Sequence, residues 1–302
     1  MRRILITGGS GFLGAWIIRR LLARGWAVRV LDIHDRRDTV AAIAGPVAHS
    51  LDWQVGDIRE ADTVTHALRG CDGVIHLAGV LTPLCSSQPV RGAEINLIGA
   101  LNVFEAAHAQ GLQQVVYASS AGVYGPDDAH HPQPATHYGA FKLAVEGSAR
   151  AYWAERQLAS VGLRPFVVYG PGRETGLSAG PSLACRAAAW GQPCTIGYTG
   201  ASGLIYVDDV AQAFEAALQA PPQGAQVYNL VGQVHSVDEV MAEIRRLAPG
   251  ARLDAAGPPL TIAPGITETG LDQLLPQRQI TPLAEGLAAT LAHYRTHSRP
   301  HD

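Results

Sequence analysis

The stretch RILITGGSGFLG, residues 3–14, joins a short apolar run to a glycine-rich turn, and a helical pattern follows it. Gly9, Gly11 and Gly14 fit the spacing G-x-G-x-x-G, and Gly8 gives a second arrangement with Gly11 and Gly14. Such glycines permit a tight turn, let the backbone approach a pyrophosphate and bring the helix close to the strand. The N–H groups at the start of the helix favour phosphate oxygens. The stretch therefore predicts a βαβ unit that binds a dinucleotide.

An acidic residue ends the next apolar run. Asp32 lies 18 residues beyond Gly14. A carboxylate at this place can accept hydrogen bonds from both ribose hydroxyls of an adenosine and repels a 2′-phosphate, which predicts NAD as the cofactor. Arg36 and Arg37 follow closely and could bind a 2′-phosphate, so NADP stays open as the alternative.

Strand-like and helix-like segments alternate through the first half of the chain, which is typical of a parallel sheet. We expect an α/β fold in which residues 1–170 form a Rossmann doubly wound parallel sheet. Residues 171–302 would form a smaller C-terminal α/β substrate domain, from which segments near 204–231 could return to the first domain. The predicted strands cover residues 3–7, 27–32, 51–55, 73–77, 114–118, 163–168, 204–207 and 226–231, and the predicted helices residues 13–24, 61–68, 91–110, 137–160, 182–190, 208–218 and 237–247.

The composition excludes several classes of protein. A net charge of −3 without a long basic run argues against nucleic-acid binding. No run of 18 apolar residues is present, so we expect no membrane span. The four cysteines are scattered and the chain starts almost at once with a strand, which predicts a reduced, cytoplasmic protein. His293 and His297 have i, i+4 spacing but lack an evident third ligand, so no metal is predicted.

Five further motifs follow one another along the chain. They read Gly56-Asp57-Ile58-Arg59, His76-Leu77-Ala78-Gly79, Asn96-Leu97-Ile98-Gly99-Ala100, Val168-Tyr169-Gly170-Pro171-Gly172-Arg173 and Tyr206-Val207-Asp208-Asp209-Val210-Ala211. Together with the glycine turn they resemble the extended branch of the short-chain dehydrogenase/reductase superfamily, the NAD-dependent epimerase/dehydratase family. The resemblance implies a Rossmann fold, NAD as cofactor and a small-molecule substrate. We also expect a homodimer.

The resemblance assigns roles in cofactor binding. Asp57 would hydrogen-bond the adenine amino group with the Ile58 backbone beside it, and Asn96 would support the sheet near the nicotinamide half. The other residues expected to contact NAD belong to the glycine turn and to the strand end that passes under the cofactor: Gly8, Gly11, Phe12, Leu13, Gly14, Leu77, Ala78 and Gly79.

Tyr138-Gly139-Ala140-Phe141-Lys142 has the spacing Y-x-x-x-K, which puts the phenol and the ammonium on one face of a helix. A tyrosine ordinarily titrates near about 10, and a neighbouring lysine with the positive nicotinamide ring would lower that pKa. Tyr138 could then take the proton of a substrate hydroxyl, while Lys142 also binds the nicotinamide ribose. The run SSAGVYG, residues 119–125, resembles the family's S-S-x-x-V-Y-G. It assigns to Ser120 a hydrogen bond to the substrate oxygen, and Ser119 is expected to bond to the backbone.

Two positions depart from the family members that act on nucleotide-diphosphate sugars. Those members place an arginine before the V-D-D segment and an asparagine near the substrate, where this chain has Ser202 and Val167. A diphosphate without these partners would lose strong charge-assisted hydrogen bonds. Arg173 is left as a single anion partner, which favours a small sugar, polyol or hydroxy acid. The predicted substrate contacts are therefore Ser120, Tyr138 and Arg173.

The main prediction is an NAD-dependent oxidoreductase or epimerase that oxidises a secondary alcohol of such a substrate. Dehydrogenation and epimerisation use the same three residues, so the sequence leaves both open. Dehydratases of the family carry an Asp-Glu pair after the catalytic residue, where this chain has Ala121 and Gly122. A nucleotide-sugar 4-epimerase and a non-catalytic NAD-binding sensor are the alternatives. His130 and His131 are expected to form a solvated loop pair, although they could touch the substrate.

Overall fold

The computed structural model describes residues 1–297, in which the strands form three sheets. The strands are β1 (Arg3–Thr7), β2 (Ala27–Asp32), β3 (Asp52–Val55), β4 (Gly73–His76), β5 (Gln114–Ala118), β6 (Ala159–Pro165), β7 (Val167–Tyr169), β8 (Cys194–Ile196), β9 (Ala201–Tyr206), β10 (Ala225–Leu230), β11 (Gln233–Ser236) and β12 (Leu253–Ala255). The helices are α1 (Phe12–Ala23), α2 (Arg37–Ala44), α3 (Ala61–Leu68), α4 (Thr82–Ser87), α5 (Pro89–Ala93), α6 (Gly99–Ala109), α7 (His137–Arg156), α8 (Gly180–Ala189), α9 (Val207–Gln219), α10 (Val237–Leu247), α11 (Leu271–Leu274) and α12 (Leu283–Thr296).

The main sheet has seven parallel strands in the order β10-β6-β5-β4-β1-β2-β3. The direction of winding reverses between the neighbouring strands β1 and β4. Ligands of such sheets bind outside the carboxyl ends of the strands at this switch point. Both the glycine turn after β1 and residues 77–79 after β4 lie there. The predicted Rossmann doubly wound sheet is confirmed.

Side chains of β1 alternate between the two faces of the main sheet. Ile4 and Ile6 pack in the cluster that contains α1 and α9. Leu5 packs on the opposite face with side chains of α3, α6 and α7. All three side chains are completely buried, so both faces are covered by helices, as an all-parallel sheet requires.

The later part of the chain forms two small sheets and also returns to the main one. In the three-stranded sheet, β9 pairs parallel with β7 and antiparallel with β11, and β8 pairs parallel with β12. In contrast, β10 is the edge strand of the main sheet and pairs with β6. The division into domains at residue 170 stays a prediction, although β10 belongs to the dinucleotide-binding sheet.

Two predicted boundaries are wrong. The helix expected over residues 137–160 ends at Arg156, because Gln157 adopts a left-handed conformation with φ of 55° and β6 then begins at Ala159. The strand expected over residues 163–168 is in fact β6 and β7, which belong to different sheets. The chain passes from one sheet to the other at Phe166, whose N–H still donates to the Leu230 carbonyl of β10.

A buried histidine joins the ends of β1 and β4. His76 is 2% exposed, and its Nδ1 lies 2.7 Å from the hydroxyl oxygen of Thr7. Burial, with a smaller contribution from the charge of Lys142, lowers the pKa of His76 to about 3. The imidazole is therefore neutral in the folded protein at neutral and mildly acidic pH.

We expect the free energy of unfolding to fall as the pH is lowered from about 6.5 towards 4. In this range the unfolded chain binds a proton at His76 and the folded chain does not, which costs on the order of 1.4 kcal/mol per pH unit. Urea unfolding at pH 7 and pH 5 of the wild type, His76→Gln and the exposed control His108→Gln measures this effect. The wild type and His108→Gln should lose more stability than His76→Gln, and equal losses in all three would contradict the assignment.

Candidate active site

A cleft of about 590 Å³ opens at the switch point of the main sheet. Arg173 lines it together with most of the residues predicted to bind NAD: Gly8, Gly11, Phe12, Leu13, Gly14, Asp32, Asp57, Ile58, Leu77, Ala78 and Gly79. Other lining residues were not predicted: Ser10, His34, Thr39, Val80, Leu81, Arg91, Ile95, Ala118, Glu174 and Thr175. Adjacency to a motif is the one sequence signal that could have found Val80, Leu81 and Glu174.

The glycine turn lies directly against the end of β4. Gly8 has φ of 70°, and a Cβ at this position would lie 2.6 Å from the backbone nitrogen of Ala78. Only glycine permits this approach. The turn leads into α1, whose first turn contains no acidic side chain, so its N–H groups can receive an anion. This cradle fits the pyrophosphate of a dinucleotide.

Asp32 lies in the wall of the same cleft. Its carboxylate accepts hydrogen bonds from the backbone N–H groups of Ser10 at 3.1 Å and His34 at 3.2 Å, which fix it at the end of β2. Arg37 points elsewhere, since it forms an ion pair with Asp35 at 2.9 Å. Of the two arginines considered for a 2′-phosphate, Arg36 lines the cleft and Arg37 does not.

Asp57 and Asn96 organise the segments that border the cleft. Asp57 forms an ion pair with Arg59 at 2.7 Å, and the hydrogen bonds from Arg59 lower the pKa of this carboxyl group. Asn96 is buried in a π-helical stretch, Glu94–Ile98, between α5 and α6. Its side-chain amide donates to the Val80 carbonyl and accepts from the Val80 N–H, both at 2.9 Å. Asn96 thereby holds the segment that follows β4.

The turn after β5 meets the start of α7 without an intervening side chain. Thr136 caps α7 by accepting the N–H of Gly139 at 3.1 Å. A Cβ on Gly139 would collide with the carbonyl oxygen of Gly122. This contact places Tyr138 beside Ser120, whose hydroxyl oxygen accepts the N–H of Gly122 at 3.0 Å. Two of the predicted catalytic residues are thus brought together.

Burial raises the pKa of the Tyr138 phenol, whereas hydrogen bonding to Ser120 and the charge of Arg173 lower it. Lys142 lies 5.8 Å from the centre of the Tyr138 ring, and its Nζ donates to the Ala118 carbonyl at 2.7 Å. Burial lowers the pKa of Lys142 to about 8. Among the protein's own groups, Arg173 therefore contributes positive charge that favours the phenolate, and the effect expected of Lys142 on the Tyr138 pKa stays a prediction.

Arg173 is a cation in the wall of the cleft. Its Nη1 donates to the Val168 carbonyl and its Nη2 to the Ser178 hydroxyl, each at 3.0 Å, and the guanidinium lies over the Phe12 ring at 5.7 Å. Among residues 1–297 no hydrogen-bond partner is found for its buried Nε. A partly buried cation with an unused donor is chemically suited to an anionic ligand.

Ser202 and Val167 lie outside this constellation. They are 2% and 1% exposed, respectively, on the paired strands β9 and β7, and neither lines the cleft. Burial raises the pKa of the Tyr198 phenol, and the Ser202 side chain, which is directed towards this phenol, lowers it. Neither side chain is therefore placed to contact a ligand in this cleft.

The histidines that the sequence singled out occupy surface positions. His131 pairs with Asp128 at 3.0 Å, and the His130 N–H donates to the same carboxylate at 2.7 Å, so both shape an exposed loop. The rings of His293 and His297 stack at 3.9 Å. Within residues 1–297 no group of three His, Cys, Asp or Glu side chains is arranged to hold a metal ion. No helix in the same range is long and apolar enough to cross a membrane.

Comparisons with known proteins agree with this geometry. The model of the NAD dependent epimerase/dehydratase family matches residues 4–231. Mouse 3 beta-hydroxysteroid dehydrogenase type 7 is 32% identical over 256 residues, covering 74% of this chain and 66% of the mouse enzyme, slightly less than two thirds. The UDP-glucose 4-epimerase of Mycolicibacterium smegmatis is 29% identical, covering 98% of this chain and 100% of that enzyme. The crystal structure of the Thermus thermophilus UDP-glucose 4-epimerase with NAD has a TM-score of 0.83 at 28% identity, covering 98% of this chain and 100% of that one.

We expect NAD to bind at least about tenfold more tightly than NADP, because Asp32 repels a 2′-phosphate. Calorimetric titration with both cofactors measures the ratio. Asp32→Ala should reduce it, since Arg36 stays in the cleft wall, whereas Asp38→Ala, which removes a fully exposed carboxylate of α2, should leave it unchanged. Equal affinity of the wild type for both cofactors would overturn the assignment.

Proposed function

The chain belongs to the NAD dependent epimerase/dehydratase family, and we propose that it oxidises a secondary alcohol of a small sugar, polyol or hydroxy acid. It is an NAD-dependent enzyme of the epimerase and dehydrogenase type. The observation that carries the proposal is that Tyr138 lies beside Ser120 and close enough to Arg173, a residue of the cleft wall, for the charge of Arg173 to lower the Tyr138 pKa. A non-catalytic sensor would have no use for this arrangement.

Different residues of the chain would bind different parts of the cofactor. The glycine turn would hold the pyrophosphate, Asp32 the adenosine ribose, Asp57 and Ile58 the adenine, and Lys142 the nicotinamide ribose. When bound, NAD supplies a hydride acceptor for the carbon that carries the substrate hydroxyl.

Tyr138 is the proposed general base. Its phenolate takes the proton of the substrate hydroxyl, while the Ser120 hydroxyl donates a hydrogen bond to the same oxygen. Because burial raises the pKa of Tyr138, the phenolate needs a nearby positive charge, and Arg173 provides one. In this scheme Arg173 both favours the base form of Tyr138 and binds an anionic group of the substrate.

The packing of Ser202 and Val167 supports a small substrate. A pyrophosphate that enters a partly closed cleft without paired donors pays a desolvation penalty of several kcal/mol. Arg173 alone matches one carboxylate or one phosphate better than a diphosphate. We therefore propose small polyhydroxylated acids as the substrates that use Arg173, with free sugars as the neutral counterparts.

A nucleotide-sugar 4-epimerase is the second candidate. It is favoured by the match to the UDP-glucose 4-epimerase of Mycolicibacterium smegmatis along that enzyme's whole length. Epimerisation would use the same Ser120, Tyr138 and Lys142. The two candidates therefore differ in substrate recognition and not in the proposed acid–base chemistry.

The location and the assembly of the protein are proposals that rest on the sequence. Four free cysteines, two of them buried, are compatible with a reduced cytoplasmic protein. A homodimer is proposed for the protein in solution.

Tyr138→Phe should lower kcat by about a hundredfold or more, as expected for the loss of a general base, and change the Kd for NAD by less than about twofold. Tyr152→Phe is the matched control, because its hydroxyl lies on the same helix and donates to Glu105 at 2.6 Å on the exposed side. Steady-state kinetics and NAD titration of both variants give the comparison. If Tyr138→Phe kept most of the wild-type kcat, the proposed mechanism would be wrong.

In saturating NAD we expect sugar acids and free sugars to raise the melting temperature and to be turned over, and UDP-sugars to do neither. Arg173→Gln should remove the shift produced by acids and keep that of neutral sugars, whereas Arg36→Gln should change neither. Release of NADH indicates net dehydrogenation, and a stereoisomeric product without NADH indicates epimerisation. Turnover of a UDP-sugar without any response to acids would establish the second candidate instead.

A further inference from the structure

A buried polar network behind α7 has no part in the mechanism described so far. Glu146 is completely buried and lies four residues after Lys142 on the same helix. Its Oε1 accepts hydrogen bonds from the Ser119 hydroxyl at 2.5 Å and from Arg164 Nε at 2.8 Å, and its Oε2 accepts from Arg164 Nη2 at 2.5 Å. The expectation that the Ser119 side chain bonds to the backbone is therefore wrong, because its hydroxyl has a carboxylate partner.

Arg164 extends the network to the other end of the turn that contains Ser120, residues 119–124. Its Nη1 donates to the hydroxyl of Tyr124 at 2.8 Å, and Asn229 of β10 donates to the same hydroxyl at 3.1 Å. Ser119 directly precedes Ser120, and Tyr124 ends the short turn that follows it. The ion pair of Glu146 and Arg164 thus holds this turn at both of its ends.

We propose that Glu146, through its ion pair with Arg164, is a positioning residue that fixes Ser120 and Lys142 relative to one another. The inference rests on the proposed function, in which these two residues act together. A buried ion pair with additional hydrogen bonds has a defined geometry, and removal of one partner leaves an uncompensated buried charge. Glu146 lies on the same helix as Lys142 and accepts a hydrogen bond from Ser119, the neighbour of Ser120. It therefore connects α7 directly to the turn that carries Ser120.

The charge of Glu146 also acts on Lys142. Burial lowers the pKa of Lys142, and Cys85 and Glu146 oppose that shift. The other titratable groups facing Lys142 are His76, which is neutral, and the Tyr138 ring. Removal of the Glu146 charge therefore lowers the pKa of Lys142 further, and the ammonium loses its proton at a lower pH. An ion pair that only stabilised the fold at a distance from Lys142 would produce no such change.

Glu146→Gln and the control Glu105→Gln test the proposal. Glu105 also pairs with an arginine and a tyrosine of α7, Arg156 at 2.7 Å and Tyr152 at 2.6 Å, but on the exposed side of the helix. We expect Glu146→Gln to lower kcat at least about tenfold. The pH at which NAD affinity declines should also move down by about half a unit or more, because the Lys142 ammonium is a stronger hydrogen-bond donor to the ribose hydroxyls than the neutral amine. Glu105→Gln should leave both quantities unchanged.

A wild-type kcat in Glu146→Gln, or a reduced kcat with an unshifted pH dependence of NAD affinity, would overturn the proposal. If Glu146→Gln fails to fold, the kcat of Ser119→Ala tests the proposal instead, since this variant leaves the ion pair of Glu146 and Arg164 intact. A loss of kcat of about threefold or more supports the coupling to Ser120, and a wild-type kcat refutes it. The NAD titration needs no substrate, so an error in the proposed reaction would show in Tyr138→Phe and leave the pH measurement interpretable.

Discussion

The contact between Gly139 and the carbonyl of Gly122 is the constraint on which the rest of the site depends. Ser120 follows a strand and Tyr138 begins a helix, and they meet only because no side chain separates α7 from the turn after β5. Glu146 fixes the same helix about two turns further on. A helix held at two points has little freedom to shift, so Tyr138 and Lys142 keep their places relative to Ser120.

This close packing also determines the electrostatics of the site. Burial raises the pKa of Tyr138 and lowers those of Lys142 and His76, so each of these groups is driven towards its neutral form. Partial burial also lowers the pKa of Arg173, but a guanidinium keeps its proton in proteins. It is therefore the constant positive charge beside the phenol, and the site is prepared for negative charge on Tyr138 or on a ligand.

The sequence predicted those features whose signal lies within a short segment of the chain. The glycine turn, Asp32 and the Tyr138–Lys142 spacing are each defined within one strand–turn–helix segment. The cleft contains the glycines and Asp32, and Lys142 donates a hydrogen bond to Ala118 of its wall. Glu146 could not be found in this way, because its meaning depends on Arg164, 18 residues away in another element. The end of α7 was missed because Gln157, neither glycine nor proline, adopts the left-handed conformation there. The transfer of β7 to a second sheet has no local signal either.

The loop that carries Arg173 is held by elements other than those that hold Tyr138. The Tyr294 hydroxyl of α12 accepts the N–H of Gly172 at 3.1 Å and donates to Glu174 at 3.0 Å, and Arg186 of α8 pairs with the same carboxylate. The base, the serine and the lysine are instead fixed by the main sheet and α7. Arg173 and the acid–base groups therefore depend on separate sets of contacts. Substitutions in the Arg173 loop can alter which ligand is bound without moving Tyr138, Ser120 or Lys142.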